Sequence, residues 1–245
     1  MQSPLWFRFF KSPFNGEEPR YFDINHKEWV AELERRFPDI QKEVTLFVKQ
    51  ESIHFKNYRF HISNGKPQWQ TFPLMSWGYI HKSNQSMLPV TWSIFNKIEG
   101  ICSISISRLV AGASIPGHHG DTNAIYRCHY GIQIPAGKPD CVFVVEDEEK
   151  EWVQGKTLAF CDARFHYAEN HTNQDRYVVL FDVIRDPFVS KYYSICSTVI
   201  ATHVLHGLDS KISFYEKCPV LILKALVYSI RVPAKIYLRL QNLLK

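Results

Sequence analysis

The sequence predicts a mainly β domain, a sandwich or barrel, with helices at both ends. From about residue 58 the chain changes to short apolar runs punctuated by Gly, Pro, Asn and Ser, which is typical of all-β domains. Several of these runs alternate strictly between apolar and polar residues, as half-buried strands do. We therefore divide the chain into an N-terminal helical packing segment (1–57), a β core (58–188) and a C-terminal helical extension (189–245).

The composition is that of a folded globular protein. Of the 245 residues, 45% are apolar, 22% are charged and 14% are aromatic, with only 11 Gly and 13 Pro. These values exclude intrinsic disorder, collagen-like repeats and coiled coil.

Two helices are predicted ahead of the β core. Asp23 and Asn25 supply capping side chains before a segment, 30–37, whose apolar residues have helical spacing. Pro38 ends this helix and is tolerated in the first turn of the next, where apolar residues recur at helical spacing over 40–48.

Five candidate strands follow, and one of them carries an arginine and a histidine on the same face. Arg127 and His129 are two residues apart on a strand and therefore share one face. The acidic run 146–151 is interpreted as a solvated hairpin tip. The candidate strands are 102–107, 125–134, 141–146, 156–161 and 176–184.

The C-terminal extension is basic and amphipathic. Residues 189–245 carry eight Lys and Arg against Asp209 and Glu216, and Pro233 is expected to kink or divide the helix. Two interpretations stay open: residues 212–245 lie on an anionic membrane surface, or they form a helix that packs on the β core. On a helical projection the cations that lie within about 60° of Lys224 are Lys217, Arg231, Lys235, Arg239 and Lys245.

Charge and cysteine content limit the partners and the location. The first 188 residues have 21 Lys and Arg against 22 Asp and Glu, so nucleic acid is excluded as the expected partner. The six cysteines are widely spaced and form no Cys-x-x-Cys pair. The first eleven residues lack the uninterrupted apolar stretch of a signal peptide, and the sequence has no run of about 18 uncharged apolar residues. We expect a cytoplasmic protein, with peripheral contact at the membrane face as the open alternative.

One histidine-rich stretch carries candidate chemistry. His118, His119 and Asp121 precede the strand that bears Arg127, and His166 follows another predicted strand, with Arg176 ten residues beyond it. Two imidazoles with open coordination positions suit ferrous iron, whereas a structural zinc site would need four closed ligands. A buried arginine near such a site suggests that it binds a dicarboxylate. These residues together indicate iron and 2-oxoglutarate.

A set of short motifs in a fixed order resembles the aspartyl/asparaginyl β-hydroxylase family of Fe(II)/2-oxoglutarate-dependent dioxygenases. The resemblance covers about residues 69–188. Each motif alone is a weak indication, but the order and spacing of the motifs together are specific. The motifs are Trp69–Leu74, Pro89–Thr91, Lys97–Gly100, Ser107, His118–Asn123, Arg127–Gly131, Trp152–Lys156, Phe165–His166, Arg176–Val183 and Asp186–Pro187.

The resemblance implies a double-stranded β-helix (jelly-roll or cupin-like) that holds Fe(II) with two histidines and uses 2-oxoglutarate and O2. His118 and His166 match the iron ligands, and the residue two places after the first ligand is Gly120, as in the family. Arg176 matches the arginine that binds the far carboxylate of 2-oxoglutarate, with Ser107 beside it. The resemblance also places His129 near the other carboxylate and Arg127 close to cosubstrate or substrate.

An alternative register exists within the same motif. His119-Gly120-Asp121 is itself a His-x-Asp, so His119 and Asp121 could ligate the metal in place of His118. The spacing to the strand of Arg127 favours His118. Asp162 is a candidate for orienting the ligands.

The substrate is less defined than the reaction. The resemblance implies hydroxylation of an Asp or Asn side chain in a peptide or amino acid, and similar sequences include hydroxylases of lipid acyl chains. The basic extension favours a lipid acyl chain at a membrane face as the first alternative. A jelly-roll module that binds metal without catalysis is the second.

Overall fold

The structure, a computed structural model, describes residues 4–50, 55–57, 62–63 and 66–243. Position 58, the predicted start of the β core, and Lys245 lie outside these ranges. The helices are α1 (Glu28–Arg35), α2 (Phe37–Gln50), α3 (Lys82–Gln85), α4 (Pro89–Phe95), α5 (Tyr192–Ile212) and α6 (Val220–Leu243). The strands are β1 (Lys56–Asn57), β2 (Ile62–Ser63), β3 (Lys66–Pro67), β4 (Trp69–Ser76), β5 (Tyr79–Ile80), β6 (Ile101–Leu109), β7 (Ser114–His118), β8 (Ile125–Gln133), β9 (Cys141–Val145), β10 (Glu148–Lys150), β11 (Thr157–Phe160), β12 (His166–Asn170) and β13 (Arg176–Ile184).

Two antiparallel sheets form a double-stranded β-helix with flanking helices, which confirms the predicted fold class. The larger sheet has the order β1-β4-β6-β13-β8-β11, with β5 paired to β4. The smaller has the order β10-β9-β12-β7, and β2 and β3 pair separately. Side chains of both sheets, such as Phe143 of the smaller and Phe160 and Val178 of the larger, share one buried cluster. The sheets therefore pack face to face, as in a jelly roll.

The N-terminal helices cover the outer face of the larger sheet. Leu33 of α1 and Val44 of α2 pack with Ile104, Tyr130 and Phe181 of the central strands. Since both faces of these strands are buried, β13 is buried along its whole length. This packing fixes the strands that carry the inward-facing polar residues.

The predicted cap of α1 is wrong. The helix begins at Glu28, and no side chain caps it. Asp23 instead accepts a hydrogen bond from the backbone N–H of Asn25 at 3.1 Å and forms a turn ahead of the helix. The boundary near Pro38 is as expected, since α2 begins at Phe37 and contains Pro38 in its first turn.

The C-terminal helices α5 and α6 pack against each other and against one end of the sandwich. Ile195 and Val199 of α5 share a cluster with Ile184 and with Leu238 of α6. The helix α6 runs on through Pro233, so of the two expected effects this proline does not divide the helix. Within the described part of the chain, no helix is both long enough and apolar enough to cross a membrane.

Candidate functional site

A cavity lies between the two sheets, where β7 and β12 pair. Strands of both sheets contribute polar side chains to it, among apolar and aromatic ones such as Phe143, Phe160 and Leu180. His119 and Asp121 do not line it. The predicted site residues that line this cavity are Ser107, His118, Arg127, His129, His166 and Arg176.

His118 and His166 face each other across two neighbouring strands. They are partners in the antiparallel register of β7 and β12, and their ring centroids are 4.3 Å apart. His166 is buried, and His118 is partly exposed. Sheet pairing thus creates the pair of imidazoles that the sequence predicts.

The hydrogen bonds of both rings fix their tautomers. Nδ1 of His118 lies 2.9 Å from the carbonyl oxygen of Pro116, and Nδ1 of His166 lies 2.8 Å from that of Arg164. Because a carbonyl oxygen only accepts, each Nδ1 carries the proton and donates. Burial, with a contribution from His118, holds the pKa of His166 well below its usual range. The Nε2 of His166 therefore keeps its lone pair, as metal ligation requires.

His119 and Asp121, the alternative ligands, are engaged elsewhere. Nδ1 of His119 donates to the carbonyl oxygen of Ala163 at 2.9 Å. The carboxylate of Asp121 lies 3.0 Å from Nε2 of His203 on α5. Burial acts to raise the pKa of Asp121, but His203 and nearby arginines hold it below its usual range. The structure brings His118, not His119, to His166.

Gly120 makes room for the carboxyl group of Asp162. A Cβ atom at position 120 would collide with that carboxyl group, so only glycine fits there. Asp162 also accepts a hydrogen bond from the backbone N–H of Asp121 at 2.8 Å, and its Oδ1 lies 4.0 Å from Nε2 of His166. The space that a side chain at position 120 would fill thus holds a carboxyl group from a different loop.

Arg127 is held by two aspartates of its own chain. Its guanidinium donates to both carboxylate oxygens of Asp182, at 2.8 and 3.0 Å, and to Asp162 at 2.6 Å. One guanidinium cannot balance two buried carboxylates, so burial and the neighbouring Asp121 and Asp182 raise the pKa of Asp162 to about 7. Arg127 therefore needs no bound dicarboxylate.

Arg176 has no such partners. It is 1% exposed, and among the described residues neither its Nε nor its Nη1 has a hydrogen-bond partner. Its guanidinium carbon lies 4.5 Å from the centre of the Trp152 ring. Burial lowers its pKa to about 10, which leaves it charged at neutral pH. A buried cation with free donors that faces a cavity is suited to bind an anion.

Two tryptophans orient the polar groups beside Arg176. Nε1 of Trp152 donates to Nδ1 of His129 at 3.0 Å, so the proton of His129 is on Nε2. Burial, followed by the charges of Arg176 and Arg127, holds the pKa of His129 well below its usual range. Nε1 of Trp69 donates to the hydroxyl of Ser107 at 2.9 Å, which leaves the Ser107 O–H free to donate elsewhere.

These tryptophan contacts were not anticipated from the sequence. Trp69 and Trp152 belong to the motifs that carry the family resemblance, but the sequence does not predict which side chain accepts the hydrogen bond of each indole N–H. The one available signal was that a buried tryptophan N–H needs an acceptor.

The donor set fits ferrous iron better than a closed metal site. In the described ranges, no cluster of three or more His, Cys, Asp and Glu side chains is arranged to hold a metal ion. The pair His118 and His166 offers two nitrogen ligands and leaves other positions open, and the unpaired Arg176 guanidinium lines the same cavity.

Residues 34–186, well over half of the chain, match the family described as aspartyl/asparaginyl β-hydroxylase. The chain is 29% identical over 171 residues to the ornithine lipid ester-linked acyl 2-hydroxylase of Rhizobium tropici, a match that covers 68% of this chain and 61% of that protein. It is 31% identical over 151 residues to human aspartate beta-hydroxylase domain-containing protein 2, covering 58% of this chain and 40% of that one. The chain thus spans less than two thirds of the length of either relative.

Solved structures give more distant likenesses. An oxidoreductase of the 2OG-Fe(II) oxygenase family from Burkholderia pseudomallei aligns with a TM-score of 0.38 at 11% identity, over 66% of this chain and 93% of that one. AviO1 from Streptomyces viridochromogenes aligns with a TM-score of 0.40 at 9% identity, over 63% of this chain and 85% of that one. Likenesses this distant say nothing about chemistry.

Proposed function

Because the chain belongs to the aspartyl/asparaginyl β-hydroxylase family, we propose that it is an Fe(II)- and 2-oxoglutarate-dependent dioxygenase that hydroxylates an unactivated C–H bond. One observation carries the proposal. The two imidazoles of His118 and His166 and the unpaired guanidinium of Arg176 line the same cavity. A metal site beside a free buried cation is what an anionic chelating cosubstrate requires.

When bound, Fe(II) and 2-oxoglutarate would supply the oxidative chemistry, in which O2 hydroxylates the substrate while 2-oxoglutarate is converted to succinate and CO₂. The protein supplies the binding groups. His118 and His166 would hold the metal through Nε2, because their Nδ1 protons are committed to backbone carbonyls. Arg176 would bind the far carboxylate of 2-oxoglutarate, and Ser107 has a hydroxyl proton to offer it.

The remaining residues of the cavity position these groups and exclude water. The Nε2–H of His129 is available for the other carboxylate, since Trp152 fixes the tautomer. The rings of Phe143 and Phe160 contact both His129 and His166 and form an apolar wall. In a site of low polarity, each charge-assisted hydrogen bond to the cosubstrate is strengthened.

An anaerobic titration tests this proposal. Fe(II) and then 2-oxoglutarate are added to the purified protein, and the visible charge-transfer absorption of the chelate is recorded. We expect the band in the wild type, and in the Arg176→Met variant only at 2-oxoglutarate concentrations about 10- to 150-fold higher. Absence of the band and of any 2-oxoglutarate affinity in the wild type would refute the proposal and favour a metal-binding module without catalysis.

The substrate class has two candidates. The family favours an Asp or Asn side chain in a peptide or amino acid. The match to an ester-linked acyl 2-hydroxylase, which covers 68% of this chain, favours a lipid acyl chain. Succinate release measured with Asp- and Asn-containing peptides in one series and acylated lipids in another separates them. Turnover with one series alone assigns the class, and stimulation by neither removes both.

A further inference from the structure

The helix α6 is apolar on the face that points away from the protein. Its inner face packs through Leu223 and Leu238, which are buried. Its outer face carries Leu221, 79% exposed, with Ile236 and Leu240, each more than half exposed. A helix that is apolar on both faces is normally covered on both. Nothing in the described residues covers the outer one.

Helix α5 extends this apolar surface. Val204, Leu208 and Ile212 recur every four residues along α5 and are 44%, 46% and 70% exposed. Between α5 and α6 lies a groove to which Val204 and Tyr237 contribute from opposite sides. The stripe on α5, the groove and the outer face of α6 form one surface, which we term the helical face. The apolar residues that line the groove include Trp77, Ile200, Val204, Pro233 and Tyr237.

The charges on α6 indicate what covers the helical face. Between Val220 and Leu243 the helix has four cationic side chains and no acidic one. By helical spacing the cations Lys224, Arg231, Lys235 and Arg239 fall along one edge of the apolar surface. A second copy of this chain with its α6 packed antiparallel about a twofold axis would bring these like charges together. An anionic lipid surface complements both the cations and the apolar side chains.

We propose that the helical face binds an anionic lipid bilayer, with α6 lying in the plane of the interface. At 1.5 Å per residue this helix is about 36 Å long, and its apolar side chains enter the boundary between headgroups and acyl chains. Lys224 and Arg239 contact the lipid phosphates. This proposal concerns binding and does not depend on the hydroxylase chemistry.

Vesicle flotation with the full chain tests the proposal. Vesicles of phosphatidylcholine alone are compared with vesicles that also contain phosphatidylglycerol. We expect flotation with the anionic vesicles and at least about fivefold weaker partitioning onto the neutral ones. Equal partitioning onto both, or none onto either, overturns the proposal.

Matched variants separate the helical face from other exposed surfaces. Leu240→Ser should weaken partitioning about tenfold, whereas Leu46→Ser, at an equally exposed leucine of α2, should leave it unchanged. Lys224→Gln should weaken it about fivefold, with Lys42→Gln on α2 as its control.

Analytical ultracentrifugation without vesicles tests a second copy as the occupant. A monomer in solution agrees with the proposal. A dimer that Leu240→Ser dissociates, with vesicle binding the same in all variants, would assign the helical face to self-association and overturn the proposal.

Discussion

The guanidinium of Arg176 stacks on the indole of Trp152, with 4.5 Å between the guanidinium carbon and the ring centre. Trp152 also donates a hydrogen bond to His129. One tryptophan thus supports a buried cation on its face and fixes the tautomer of a histidine with its N–H. Both supported groups line the cavity that also contains His118 and His166.

Arg176→Met should weaken binding of 2-oxoglutarate and raise the stability of the ligand-free protein. A charge-assisted hydrogen bond contributes about 1.5–3 kcal/mol, so the Kd should rise about 10- to 150-fold. Met removes a buried cation that has no partner for two of its nitrogens, which relieves a desolvation penalty. Anaerobic calorimetry gives the Kd and thermal unfolding gives the stability. Arg108→Met, which removes a guanidinium paired with Asp175 outside the cavity, should leave the Kd unchanged.

His118→Ala and His166→Ala should each abolish metal binding, whereas His119→Ala should retain it. Only the first two remove an Nε2 that faces the cavity, and His119 is bonded to a backbone carbonyl outside it. We expect the Kd for Mn(II), a spectroscopic substitute for Fe(II), to rise at least about 100-fold in the first two variants. Electron paramagnetic resonance of free Mn(II) measures it. Loss of binding in His119→Ala with retention in His118→Ala would establish the alternative register.

Gly120→Ala and Gly207→Ala should change stability in opposite directions. At position 120 the new methyl group meets the Asp162 carboxyl group, so the free energy of unfolding should fall by about 1–3 kcal/mol. At position 207, within α5, no described atom other than those of the adjacent residues and the local helix backbone lies within 4 Å of the added carbon, and Ala is the better helix former by about 1 kcal/mol. Urea denaturation of both variants checks the signs. Equal stabilities would show that Asp162 does not occupy this space.

Arg127→Met should act mainly on stability. It leaves the carboxylates of Asp162 and Asp182 buried without their cation, which should lower the free energy of unfolding by about 3–5 kcal/mol. Adding Asp182→Asn to this variant should restore about 1 kcal/mol or more, because one unpaired charge is removed. A stable Arg127→Met protein that has lost only 2-oxoglutarate affinity would show that Arg127 binds the cosubstrate directly.

The metal-free protein should gain stability as the pH rises from about 5 to 6.5 through its buried neutral histidines. The pKa of His129 is depressed in the folded state, so the unfolded state binds more protons below about 6.5 and stability is lost as the pH falls. Asp162 contributes with the opposite sign. Its pKa is raised to about 7 in the folded state, so its charged form destabilises the fold, and protonation as the pH falls removes that cost. The slope of unfolding free energy against pH should fall by up to about 1.4 kcal/mol per unit in His129→Gln.

Sequence patterns predicted the strands that are buried on alternate residues or along their whole length. They did not predict every strand that contributes to the site. β6, β8 and β13 are long and regular, so their patterns are clear. β7 is short, mostly exposed and contains Pro116 and Gly117, which weaken any strand signal. β12 begins at His166 itself, where the sequence predicted only a position after a strand. The register that places His118 opposite His166 is a tertiary feature without a local signal.

The two buried arginines also show what the sequence can and cannot predict. That a buried arginine needs a partner is a general rule, and it correctly marked Arg127 and Arg176 as unusual. It could not distinguish a partner within the chain from a bound ligand. The aspartates that hold Arg127 come from a loop and from β13, so only the folded sheet reveals that Arg127 is paired while two nitrogens of Arg176 lack a partner among the described residues.

The pairing of β7 with β12 links the proposed metal site to folding. His118 and His166 are distant in sequence and adjoin only when the smaller sheet has closed, so the unfolded chain offers no preformed chelate. Any divalent ion that the pair binds selects the native state and raises apparent stability with the logarithm of its free concentration. Melting temperature measured against metal concentration therefore reports the assembly of this sheet without any substrate.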